Sequence, residues 1–426
     1  MRRAAPPITR LALGSARLAA LALLIVGIVP RPSTAGTEEW STFDPQAQEE
    51  DDESILDHFL TRTPREWRDE WERSPQAFRT SQGCLTSGEW TIYTDLKLRA
   101  PLGRRAEFGL LVRQVETDFQ TFDYMDLQFR FPTRFGTPGA WFRPLFDKSR
   151  QDFALTWDFG ADTTAQQLQL AFASEDMFNN LWAFRQTRVG NASLSEPYEK
   201  HPFEPGARWV LRHPAWRAEL SARYLTPSRK RITDPTQPIP VQIATLWGTL
   251  GEASLEARAL EIEWELHGWN QQALSTQVPL DRSAWDGADY RRAWSAELVA
   301  RRALTPRLTT EAHWLYEARD VRRGPPLGPA SFGGVDRVLD AEFGYQALPS
   351  LRVRVGGLYD QITIAERGSF SAHTYGTRHE SRAYVGLVAR FGRVSVSGIE
   401  GIELDPEPYE VWFVHDKGFL QLQAVF

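Results

Sequence analysis

"GFLQLQAVF", Gly418–Phe426, alternates strictly: Leu420, Leu422, Ala424 and Phe426 share one face, and Gln421 and Gln423 lie on the other. A period of two residues is that of a strand with one apolar and one polar side. The period alone does not say whether the apolar side meets a protein core or lipid. The rest of the chain has to decide.

From Glu89 onward the same alternation recurs. It is read at 89–100, 105–113, 125–131, 152–159, 166–172, 207–212, 216–224, 241–247, 260–267, 294–301, 308–319, 338–345, 351–359, 383–391 and 393–398, and again in the terminal strand. That predicts about 16 strands, within 14–18. A phase slip near Ala259 and Leu260 reads as a bulge, and the stretch from Pro132 to Gln151 is open to a loop, a short helix or an extra strand pair. Short connections, such as His213-Pro214, Leu304–Pro306, Leu348–Ser350 and Gly392-Arg393, alternate with long ones such as 269–289 and 320–335. Tight turns at one end and long loops at the other are the wiring of an up-and-down transmembrane barrel. A Greek-key sandwich has no reason to segregate its loops in this way.

The other end of the chain is consistent with export. "MRRAAPPITR", the apolar run Leu18–Val29 and the small residues Ser33 and Ala35 predict a secretory signal peptide over 1–35, cleaved after Ala35. The run is too short for a spanning helix, and Arg17 interrupts it. Residues 36–85 are read as an acidic periplasmic leader, since Glu38–Asp57 holds nine acids and no Lys or Arg. Within it Thr63, Pro64 and Glu66 mark the start of a short helix, with Trp67 and Trp71 one turn apart. That helix is expected to pack against the fold; a plug at the periplasmic mouth is the other reading. The barrel is assigned to 86–426, its last strand closing beside a first strand near Trp90.

Composition narrows the function. The hydrophobic share is 42%, with 16 Trp and 24 Phe, which excludes a disordered chain, and the single Cys84 cannot form an intrachain disulfide. The net charge of -6 comes without a basic stripe, so nucleic acid is not an expected partner. After the signal no segment is apolar enough for a membrane helix, so membrane entry would have to be by strands.

The ending "FLQLQAVF" resembles the C-terminal sorting strand of Gram-negative outer-membrane β-barrel proteins, with Leu420, Leu422, Ala424 and Phe426 at the matching positions. Size and a charge-laced interior are similar to porin-like and alginate-export-like barrels. The resemblance implies an all-β antiparallel transmembrane barrel in the outer membrane, assembled by the barrel assembly machinery and surrounded by outer-membrane lipid. Its implied work is passive diffusion or export of small polar solutes, with no cofactor and no metal.

Charged residues on the polar faces are the candidates for a pore lining: Glu297, Glu311, His313, Glu317, Asp340, Glu342, Arg352 and Arg354. Residues two apart on a strand are about 7 Å apart, too far to chelate an ion unaided, so ion pairing is the expected role of His313 and of His267 with its neighbouring glutamates. A non-conducting scaffold or receptor barrel is the alternative. An outer-membrane hydrolase is a more distant one, suggested by Ser381 beside His379 and Glu380, whose proximity in sequence does not make a triad. Trp141, Trp182, Trp285, Trp314, Tyr316, Tyr359 and Tyr384 are expected as interfacial girdle residues.

Overall fold

The computed structural model describes residues 74–426 except 85–89, 104–105, 118–120, 143–150, 161–163, 176–186, 190–191, 195–197, 233–240, 280–288, 324–329, 368–376 and 405–414, together with Trp67, Glu70, Trp71 and Arg73. The predicted signal peptide and most of the acidic leader lie outside the described residues, as do Trp182 and Trp285. The first strands are β1 (Gln76–Cys84), β2 (Trp90–Leu102), β3 (Ala106–Thr117), β4 (Thr121–Arg130), β5 (Thr137–Phe142), β6 (Gln151–Phe159) and β7 (Gln166–Glu175). Then come β8 (Thr187–Val189), β9 (Ala192–Leu194), β10 (Tyr198–Lys200), β11 (Phe203–His213), β12 (Trp216–Leu225) and β13 (Ser228–Ile232). The longer strands follow: β14 (Val241–Ala259), β15 (Ile262–Pro279), β16 (Asp289–Ala303), β17 (Leu308–Arg323), β18 (Ala330–Leu348), β19 (Leu351–Arg367) and β20 (Thr377–Phe391), and finally β21 (Val394–Glu403) and β22 (His415–Val425).

Eighteen of these close into an antiparallel barrel. β1 to β7 pair in sequence, β7 pairs with β11, β11 with β12 and β12 with β14, and the order then runs unbroken to β22. The ring closes where Gln421 of β22 lies opposite Ser81 of β1. Closure leaves no sheet edge, so backbone donors and acceptors are paired around the ring, as hydrocarbon requires. β8 and β9 form a separate hairpin, and β10 with β13 extends the β11–β12 hairpin beyond the ring.

The two strands beyond the predicted sixteen have identifiable physical reasons for escaping the hydropathy pattern. β1 lies inside the segment assigned to the leader, and it, not the strand at Trp90, is the partner of β22. Its outward positions Phe78, Thr80 and Gln82 include a single apolar side chain, so alternation is silent there. Within the open stretch from Pro132 to Gln151, of which 143–150 lie outside the described residues, β5 is a strand of six residues carrying Pro138 and Gly139, both poor strand formers.

The phase slip at Ala259 and Leu260 is a tight turn and not a bulge. Ala259 pairs with Ile262, and the two residues between them, Leu260 and Glu261, both have positive φ, 56° and 62°. A two-residue hairpin turn with both φ positive fits the twist of its strands but strains residues that carry a Cβ. Neither residue announces a turn, which is why the sequence pattern passes over it. Replacing the pair by Asn-Gly is expected to stabilise the refolded barrel by about 1 kcal/mol, read as a higher urea midpoint in detergent.

The two faces of the wall separate cleanly. Leu155, Trp157, Leu170, Phe172, Leu339, Phe343, Val355, Leu387 and Leu420 are exposed on the outside, while Asp95, Asp126, His313, Asp360, Arg382, Gln421 and Gln423 are buried on the inside. On β18 the outward apolar run extends from Leu348 to Leu339, nine residues along a tilted strand, which matches an apolar band of about 25 Å. Trp314, Tyr316 and Tyr359 lie outward as girdle residues should, but Trp141 and Tyr384 do not. Trp141 packs inside against Ala154 and Ala173, and Tyr384 packs inside against Ile399 and Phe419. Aromatics suit either face, so only register separates the two roles.

Candidate functional site: the charged interior wall

All eight charged candidates point into the barrel, where register supplies partners that sequence spacing cannot show. Glu311 and Glu342 stand directly opposite each other on β17 and β18, an arrangement that would be repulsive without cations. Each is taken by a different arginine. Arg301 on β16 donates from Nε to Glu311 at 2.5 Å and reaches Glu265 at 2.6 Å, while Arg354 on β19 donates from Nε to Glu342 at 2.8 Å. Arg352 lies 3.7 Å from the second Glu342 oxygen, and Arg319 donates to Glu317 at 2.8 Å.

His313, 1% exposed, sits between carboxylates: Glu311 on one ring nitrogen and Glu297 at 3.4 Å on the other, with Asp340 opposite it in register. Asp340 in turn accepts a 2.8 Å hydrogen bond from the Tyr384 hydroxyl. The Tyr384 ring lies directly on Gly356, whose missing Cβ leaves the space. Gly356→Ala should push the ring away and break its bond to Asp340, costing about 1–3 kcal/mol, seen as a lower urea midpoint and an altered near-ultraviolet circular dichroism signal.

Further groups line the wall elsewhere. Asp95 is held between Arg79 and Arg113, at 2.9 and 2.7 Å. Asp158 accepts from Arg130 and Gln169, at 3.1 and 2.6 Å. On β11 to β15, Arg208 meets Glu219, Arg223 meets Glu204, and His267 meets Glu252 at 3.3 Å. On β16–β19 the inward acids Glu297, Glu311, Glu317, Asp336, Asp340, Glu342 and Asp360 are interleaved with Arg291, Arg301, Arg319, Arg352 and Arg354 and slightly outnumber them, whereas from β20 to β3 Arg382, Arg390, Arg79, Lys97 and Arg113 outnumber acids such as Asp95.

The sector from β20 to β3 carries a feature beyond the eight candidates. Trp67, Glu70, Trp71 and Arg73 are helical where described and lie within the barrel at the end where the turns are short. Lys97 donates to the Trp71 carbonyl at 2.9 Å, Gln423 donates to the Trp67 carbonyl at 2.9 Å, and Arg390 pairs with Glu70 at 2.6 Å. The Arg79 guanidinium covers the Trp71 ring at 4.6 Å, and Trp67 is 4% exposed. The capping residues Thr63, Pro64 and Glu66 lie outside the described residues, and the sequence does not say where Trp67 and Trp71 dock.

The suggestion of a hydrolase at Ser381 finds a different geometry. His379 shares a 2.7 Å hydrogen bond with the Tyr359 hydroxyl, and Ser381 stands opposite Tyr359 on the outer face, remote from the acids of the interior.

A closed ring of antiparallel strands with an apolar exterior and a charged interior decides the architecture. It is a transmembrane-type β-barrel. No family model matches the chain, and no curated protein matches it. Solved structures that resemble this barrel include a loop L8 deletion mutant of OmpT, an outer membrane protein of Vibrio cholerae, at 9% identity and a TM-score of 0.39, covering 82% of this chain and 97% of that one. CdiB from Escherichia coli follows at 13% and 0.44, covering 83% and 63%, and OccK2 of Pseudomonas aeruginosa at 12% and 0.43, covering 83% and 97%. At such values the likeness adds nothing to what the barrel's own strand pairing and two faces establish.

Proposed function

We propose that the protein is an outer-membrane channel for passive diffusion or export of small polar solutes, narrowed at its periplasmic mouth by the segment around Trp67–Arg73. The observation that carries this reading is the ring of 18 strands with a charged interior, since barrels of 16–18 strands have room for water whereas eight fill with side chains. An excess of acids on β16–β19 beside an excess of bases from β20 to β3 would orient a dipolar solute and select by charge as well as size. Export after cleavage at Ala35, and reading of Leu420, Leu422, Ala424 and Phe426 by the barrel assembly machinery, belong to the same proposal, as does the absence of enzymatic activity. Liposome swelling tests it: proteoliposomes should admit small zwitterions and sugars at rates that fall with solute size. Swelling no faster than in protein-free liposomes would favour the non-conducting scaffold instead.

A further inference from the structure

The outer face of β16–β18 changes character just beyond the apolar band, toward the end where the loops are long. On β16 outward Leu298 gives way to Trp294 and then Arg292; on β17 Trp314 gives way to Tyr316, Asp320 and Arg322; on β18 Leu339 is followed by Arg337. The aromatics form one cluster, with ring centroids 4.7 Å apart for Trp294 and Tyr316 and 6.3 Å for Trp314 and Tyr316. Arg337 lies over the Tyr316 ring at 5.8 Å and bonds Gln361 at 2.9 Å. Arg322 pairs with Asp320 at 2.7 Å, and Arg292 stands opposite Asp320 in register. Three cations and one acid therefore share a patch that faces outward, at the level where hydrocarbon ends.

We infer that this patch is a binding site for the phosphorylated sugar headgroup of an outer-leaflet glycolipid. The inference rests on the outer-membrane reading, in which the long-loop end is the external one. Charge complementarity selects the ligand: exposed guanidinium groups match phosphate, and the aromatic cluster beneath offers flat faces to sugar rings and upper acyl carbons. Tyr316, which stands opposite Arg337, is four residues from Asp320, roughly 13 Å along the strand. Arg292 and Arg337, set apart by that length, suit two phosphates at the ends of a disaccharide better than one isolated ion, and Arg322, roughly 20 Å along the strand from Tyr316, flanks the loop-side end. Asp320 lowers the patch's net charge without cancelling it, and its bond holds Arg322 in place.

The test is native mass spectrometry of the refolded, delipidated chain titrated with bisphosphorylated lipid A. The intact chain should retain lipid A roughly ten-fold more tightly than the Arg292→Gln/Arg322→Gln/Arg337→Gln variant, while Arg302→Gln, at the opposite end of β16, should bind as the intact chain does. Equal retention by the intact chain and the triple variant would overturn the site. A second arm needs no variant: lipid A stripped of both phosphates should lose the same roughly ten-fold on the intact chain, and unchanged retention would overturn the phosphate assignment. Neither arm depends on conductance, so a channel that fails to conduct leaves this result standing and the converse also holds.

Discussion

Deletion of residues 36–73 is expected to raise the single-channel conductance of the refolded barrel about two-fold and to shift its preference toward anions. The deletion must stop before Gln76, because β1 begins there and its pairing with β2 and β22 closes the ring. The segment removed includes Trp67, Glu70, Trp71 and Arg73, which dock on β20, β22, β1 and β2. Without it Lys97 loses its bond to the Trp71 carbonyl and Arg390 loses Glu70, so the positive charge of this wall is less compensated. A narrower change, Glu70→Ala with Trp71→Ala, should move conductance and selectivity in the same direction by less. Identical conductance and reversal potential in the deleted and intact chains would show that the segment packs against the wall without narrowing the passage.

The second large effect concerns the wall itself. Arg354→Met is expected to cost about 3–5 kcal/mol of barrel stability, because it leaves Glu342 as a buried charge whose main cation is gone. The side chains of the pair are 11% and 7% exposed, so solvent screening discounts the figure little. Glu311 stands opposite Glu342, and removing the cation unmasks that repulsion, while Arg352, 3.7 Å away, compensates only in part. The double variant Arg354→Met/Glu342→Leu removes both charges and should recover most of the loss, as replacement of a buried pair by apolar groups commonly does. Urea unfolding in detergent micelles, followed by tryptophan fluorescence, measures both. A single variant as stable as the parent would mean that Glu342 has enough water or other partners to dispense with Arg354.

Much of this structure is legible in the sequence because a barrel wall writes its two faces directly into residue parity. The terminal strand is the clearest instance: Leu420 and Phe426 are exposed outside, and Gln421 and Gln423 are buried inside, as alternation predicts. Parity fails where a strand has little apolar surface to display, as in β1, or where strand and turn both lack characteristic residues, as at Leu260-Glu261. It also cannot place aromatics, so the luminal Trp141 and Tyr384 look the same in sequence as Trp314 at the lipid boundary. Parity also puts Glu297, Glu311, His313, Glu317, Asp340, Glu342, Arg352 and Arg354 on the polar faces of their strands, and the loop asymmetry of a transmembrane barrel is what turns those faces inward. Which arginine serves which carboxylate does not, since the pairs Arg301–Glu311 and Arg354–Glu342 depend on cross-strand register. The docking of Trp67 and Trp71 is harder still, because no local pattern says which wall a helix meets.

The central claim, a water-filled passage through the barrel, is tested most directly by recording the purified, refolded intact chain in a planar bilayer. Discrete, ohmic conductance steps that appear with insertion are the predicted result. A silent bilayer, with insertion of the folded barrel verified independently, would contradict it.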